Sequence, residues 1–215
     1  MATNKAIANS WEEMTIERWQ DIQEILSEEG TDAVDKNVKL VGYMYDIPDE
    51  DAYNLPLDDF SKALDGIGWL GTEPVIPEPS DTYLINGKKY TVCLNQREIT
   101  TAQYIDFRAF NTDVPKNIHL ILSILMVPEG HKYNDGYDIE QVQRDIQEYM
   151  RITHALSLVR FFFQLYVALT TNSLRSLMKT LERKMKRTRD KEKLEDLEKK
   201  LRATEELERM FGSLA

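Results

Sequence analysis

The chain has 215 residues, 30% of them charged, with 37 acids against 27 Lys and Arg, a net charge of −10 and a pI near 4.9. So acidic a composition argues against generic nucleic-acid binding, which releases counterions through cationic contacts. Cys93 is the single cysteine, which excludes an intramolecular disulfide and a four-cysteine zinc site.

The opening "MATNKAIANSWEEM" has neither the apolar core nor the cleavage pattern of a signal peptide, so a cytoplasmic origin is expected. The first strong element is "MTIERWQDIQEIL". Thr15 is placed as N-cap, Met14 and Trp19 as a hydrophobic staple, and Ile16, Trp19, Ile22 and Leu26 as one apolar face. Gly30 closes it. A second helix over Asp32 to Tyr45 carries Val34, Val38, Val41 and Tyr45 on a stripe and stops before Pro48. "PLDDFSKALDGIG" reads as a short third helix, with Pro56 near its first turn and Gly66 and Gly68 past its end.

"GTEPVIPEPSD" is a linker, since Pro74, Pro77 and Pro79 oppose both helix and central strand. "TYLINGKKYTVCL" follows as a hairpin: Asn86-Gly87 is a type I′ dipeptide, and its register sets Tyr83 opposite Tyr90. "EITTAQYIDFRAF" opens a helix with Thr100 and Gln103 as a capping box. "VPKNIHLILSILMVPEG" is a short apolar helix bracketed by Pro115 and Pro128, and Asp138 caps "IEQVQRDIQEYM", striped by Ile139, Val142, Ile146 and Tyr149.

Thr153 is expected to cap the last and longest helical stretch, which begins "HALSLVRFFFQLYVAL". The apolar run from Ala155 to Thr171 is short of the roughly 20 residues of a membrane span and contains Arg160 and Gln164, so it reads as a buried helix. Beyond it the apolar face narrows to a seam: Leu174, Leu177, Leu181 and Met185, then Leu194, Leu197 and Leu201. Residues 186–193, "KRTRDKEK", interrupt it with no apolar side chain. Glu195–Lys199, Asp196–Lys200, Glu198–Arg202 and Glu205–Arg209 are favourable i,i+4 pairs, so the tail is helical by charge pattern. It is either an arm continuing the core helix or a helical hairpin broken near Thr188–Asp190.

These elements predict a mainly α protein: a helical core with one β-hairpin and a long charged C-terminal helix. Its divisions are an N-terminal helical subdomain (1–72), a Pro-rich linker (73–81), a hairpin plus helical core (82–187) and a charged helical tail (188–215). Charge is unevenly placed. Residues 1–80 hold eighteen acids against five bases, and Arg183 to Lys191 holds six bases against one acid.

No recognised catalytic motif occurs, and His119, His131 and His154 share no metal-ligand spacing. Asp49, Glu50, Asp51, Asp58 and Asp59 lack the spacing of a calcium loop and suit solvated helix starts. No catalytic residue, cofactor or metal site is expected, and the seam is the candidate partner-binding surface.

Several stretches in order, "SWEEMTIERWQDI", "LINGKKYTVCLN", "ITTAQYIDFRAF", "LILSILMVPEGHKYNDGYDIEQVQRDI" and "ITHALSLVRFFFQLYVAL", resemble small proteins from virion-morphogenesis gene blocks of tailed phages of Bacteroidetes, including crAss-like phages. The resemblance covers about residues 10–180 and brings no catalytic residues. It implies a tail-assembly chaperone or a minor virion component. The expected function is therefore a non-enzymatic phage structural or assembly protein, in the virion or the host cytoplasm. Its expected partners are other phage structural proteins, with self-association through the C-terminal helix and no membrane. The alternative is a cytoplasmic regulatory or host-interacting module whose acidic half occupies a basic surface. An enzyme using carboxylates such as Asp49 or Asp58 ranks third.

Overall fold

A computed structural model describes residues 6–95, 97–110, 112–187 and 191–212. Among them the fold is mainly α-helical, with a helical core and one small antiparallel sheet. Two compact units divide the chain, residues 1–159 and 160–215.

The first unit opens with α1 (Ile16–Ser27) and α2 (Ala33–Tyr45). Thr15 caps α1 by accepting from the Arg18 amide, and Asp32 caps α2 by accepting from Val34 and Asp35 at 2.8 and 2.9 Å. Helix α2 ends in a Schellman-type turn: Asp46 is left-handed (φ 52°), and the Ile47 amide donates to the Gly42 carbonyl at 2.8 Å. The returning chain passes so close that a Cβ on Gly42 would stand 3.0 Å from the Ile47 carbonyl oxygen. Only glycine fits there without displacing backbone.

Val34, assigned to the α2 stripe, is 65% exposed. Lys36 already reaches the Leu26 carbonyl, so Val34 lies beyond the last turn of α1 with nothing to cover it. The buried face of α2 is Val38, Leu40, Val41 and Met44 instead. Pro48 does more than stop α2: it leads into α3 (Asp49–Tyr53), a short helix missed in the sequence, before α4 (Leu57–Gly66). A 3-10 turn (Gly68–Gly71) follows. It places Trp69 edge-on to Trp11, whose indole donates to the Thr72 carbonyl at 3.0 Å.

The Pro-rich segment leads to β1 (Thr82–Ile85) and β2 (Lys88–Val92). Asn86 and Gly87 both have positive φ, 48° and 70°, as a type I′ turn needs, and Tyr83 faces Tyr90 in register. The sheet is larger than a hairpin. After α5 (Thr101–Phe110) and α6 (Val114–Ser123), residues read as the end of an apolar helix form β3 (Met126–Pro128) against β2. The free side of β2 supplies the reason: the Cys93 amide takes the Leu125 carbonyl, and the Glu129 amide takes that of Lys89. Three residues with one fully buried side chain are too few for alternation to announce a strand.

Helix α7 (Ile139–Tyr149) packs on α1, α6 and β1. Helix α8 (Ile152–Arg187) then begins one residue before the expected cap. Thr153 lies inside it and is buried, because Arg151 forms an antiparallel bridge with Thr15 and holds the chain extended up to that point. Ile16 donates to the Met150 carbonyl and Ile152 to that of Met14, which joins the starts of the first and last helices of this unit. Met14, Ile16, Ile118, Ile121, Ile146 and Ile152 are fully buried in its core.

The second unit holds the rest of α8 and α9 (Lys191–Gly212). Phe162 and Val167 of the apolar run are buried, and no described helix is long and apolar enough to cross a membrane. Thr188–Asp190, the expected break, lies outside the described residues, as do the side chains of Leu207, Arg209 and Met210.

Candidate interaction surfaces

In the second unit, coverage runs along one stripe of each helix. On α8, Thr171 and Leu181 are buried and Leu174, Met178 and Met185 half-buried, a spacing of 3, 4, 3 and 4. On α9, Leu194, Leu197 and Leu201 are half-buried and Thr204 is buried, a spacing of 3, 4 and 3. This is the coiled-coil period, which keeps an apolar row facing a neighbouring helix. Leu177 lies off the row and is 46% exposed. Most of the seam is thus only partly covered within the chain. One of the expected charge pairs closes at 2.6 Å, Lys200 with Asp196. The face of α8 opposite the row carries Lys179, Arg183, Lys186 and Arg187, all exposed.

A groove of about 890 Å³ opens beside α1 and α2 in the first unit. Ile7, Ile25, Tyr43 and Ile47 give it a half-buried floor, and Glu24, Glu28, Asp46 and Asp49 stand exposed around it. The close turn at Gly42 brings Asp46 and Asp49 to this edge. Among the described residues Lys39 is its one lining cation, and it already contacts Glu28 at 2.5 Å. Glu24, Asp46 and Asp49 have no ion-pair partner among the described residues.

The outer edge of β1 is a poor surface for strand addition. The β1–β2 register turns the backbone groups of Thr82 and Leu84 outward. Ser80 occupies those of Thr82: its hydroxyl accepts from the Thr82 amide at 3.2 Å and donates to the Thr82 carbonyl at 3.0 Å. Only Leu84 is left, too little for strand addition.

The most elaborate polar cluster is structural. Asp145, with a side chain 1% exposed, accepts from Lys88 at 2.7 Å, Tyr90 at 2.6 Å, and Asn86 and Gln141 at 3.0 Å. Burial alone would raise its carboxyl; the donors, Lys88 foremost, overcome that and hold it well below the usual carboxylate range. Burial, reinforced by the Asp145 carboxylate, pushes the Tyr90 phenol far up. The period of two in β2 sends Lys88 and Tyr90 to one face, the turn adds Asn86 beside them, and the cluster pins the hairpin to α7. Its sequence signal was an acid set into the Val142–Ile146 stripe.

The three histidines and Cys93 have separate surroundings. His119 lies 3.4 Å from the Gln20 amide nitrogen, His131 stacks edge-on to Tyr137, and His154 edge-on to Tyr83. Burial lowers His119, and burial with the Arg151 charge lowers His154. Burial raises the Cys93 thiol, which disfavours its thiolate. Among the described residues no group of three or more His, Cys, Asp or Glu could hold a metal ion. Comparison with protein-family models, curated proteins and solved structures finds no match.

Proposed function

We propose that the chain is a non-enzymatic structural or assembly protein of a tailed phage. It acts through contacts with other polypeptides, as a tail-assembly chaperone or an internal or connector-associated virion component. The observation that carries the reading is the C-terminal unit: two long helices with a heptad-spaced apolar row left half-covered. Partly exposed rows of this kind are completed by a further helix. The resemblance of residues 10–180 to virion-morphogenesis proteins supplies the phage setting.

Mass spectrometry of purified particles and of infected cells tests it. A virion component is recovered in stoichiometric amount from particles, and an assembly chaperone from cells bound to tail or connector proteins. Recovery only in complexes with host proteins favours the second reading, a regulatory module working through the acidic groove. Cutting the chain after Met185 leaves a folded first unit with altered association; an unchanged oligomeric state and unchanged partner capture would remove the seam from the reading.

A further inference from the structure

The two units carry opposite charge. Residues 1–159 hold 28 acids against 13 bases, and residues 160–215 hold 14 bases against nine acids. On each side the excess is concentrated. Lys179, Arg183, Lys186 and Arg187 follow one side of α8, exposed, with no ion pair or side-chain hydrogen bond among the described residues. Glu24, Asp46 and Asp49 ring the groove of the first unit, likewise unpaired. The last turns of α1 and α2, both lining that groove, contain no basic residue, so the negative ends of two helix dipoles add to the carboxylates.

We propose that the basic face of α8 in one copy docks in the acidic α1–α2 groove of a second copy. The groove suits this occupant in shape as well as sign. Its volume of about 890 Å³ admits several long side chains, and its floor of Ile7, Ile25 and Ile47 receives the alkyl stems of Lys and Arg while the carboxylates take their heads. Helix α8 runs 36 residues, about 54 Å, long enough to carry its basic side chains as a continuous row. The net charge of −10 opposes association at long range, but near 0.15 M salt the screening length of about 8 Å confines that repulsion and leaves ion-pair contacts in force. Donor and acceptor surfaces differ, so the contact is head-to-tail and repeats until a ring closes or a filament grows. It goes beyond the proposed function, since neither the seam nor a phage setting enters it.

Sedimentation velocity and light scattering on the full chain test it. Mass is expected to rise with concentration near 0.15 M salt and to fall to the monomer at 1 M. Lys179→Glu/Arg183→Glu/Lys186→Glu, and separately Glu24→Lys/Glu28→Lys, are each expected to weaken self-association by roughly tenfold or more. Mixing the two variants restores association, because each then offers one intact surface or a reversed complementary pair. Circular dichroism confirms that both variants keep their helix content. A chain monomeric at every salt concentration, reversals that leave the mass unchanged, or a mixture that fails to associate would overturn the contact. So would association that persists unaltered while the basic variant loses binding to duplex DNA. A parallel variant, Leu194→Ser/Leu201→Ser, reads the seam separately, so failure of either surface is distinguished from failure of the other.

Discussion

Replacing Asp145 with Ala removes the common acceptor of four donors, and their exposures set the cost. Tyr90 is 1% exposed; its stranded hydroxyl costs about 1–3 kcal/mol. Lys88 behaves differently, because half of its side chain reaches solvent. Its ammonium rehydrates, so the ion pair contributes nearer ~1 kcal/mol than the 3–5 of a fully buried pair. Asn86 is exposed and Gln141 half-buried, so both recover water. The total is about 3 kcal/mol, which lowers the melting midpoint by about 6–12 °C for a chain of this size. Urea denaturation followed by tryptophan fluorescence isolates the first unit, because Trp11, Trp19 and Trp69 all lie in it. Acid adds a second signature. The folded carboxyl sits below its ordinary range, so the stability it confers is complete above the unfolded pKa of about 4 and is lost as pH falls toward the folded value. Asp145→Asn removes that share of the acid dependence. A loss under 1 kcal/mol, or an acid profile identical in wild type and Asp145→Asn, would refute the anchoring role.

Three further outcomes follow from the packing. Leu181→Ala, at a position 6% exposed, destabilises the second unit by about 2–5 kcal/mol, whereas Leu177→Ala at 46% exposure changes it by under about 0.5 kcal/mol; helix signal against urea reads the difference. Gly42→Ala gains helix propensity of about 1 kcal/mol, yet lowers stability, because its Cβ presses on the Ile47 carbonyl and on Asp49; a rise in melting temperature would contradict the close turn. Tyr43, Tyr90 and Tyr133, each raised by burial and then by a carboxylate partner, keep their stabilising hydrogen bonds below the unfolded tyrosine pKa of about 10 and lose them as pH rises through the folded values. Ultraviolet titration is expected to show these three ionising only as the first unit unfolds.

Local chemistry made much of the fold legible. Thr15, Asp32 and Asp138 accept from the amides a cap demands, Thr100 and Gln103 exchange hydrogen bonds as a capping box, and Asn86-Gly87 turns the hairpin in register. Each depends on residues within a few positions of one another. What escaped depends on distant partners. Met126–Pro128 became a strand because β2 had an unpaired side, and Thr153 was displaced from its cap because Arg151 bridges to Thr15 across 136 positions. Ser80 closing the sheet edge was equally invisible, since a serine before a strand reads as turn chemistry alone. The groove shares that limit. Its carboxylates come from separate segments, and only the turn at Gly42 gathers Asp46 and Asp49 beside Glu24 and Glu28.

The bridge between Thr15 and Arg151 bears on how the protein is born. At about 5–20 residues per second, a ribosome needs roughly 7–27 s to make the stretch between them. Throughout that interval the buried side chains of Met14 and Ile16 lack the Met150 and Ile152 backbone that completes their setting. The first unit therefore closes late, on a contact of high sequence separation, which slows folding and leaves sticky surface exposed on the nascent chain. Synthesis speed and chaperone supply, more than the strength of any helix, then govern the yield of folded protein.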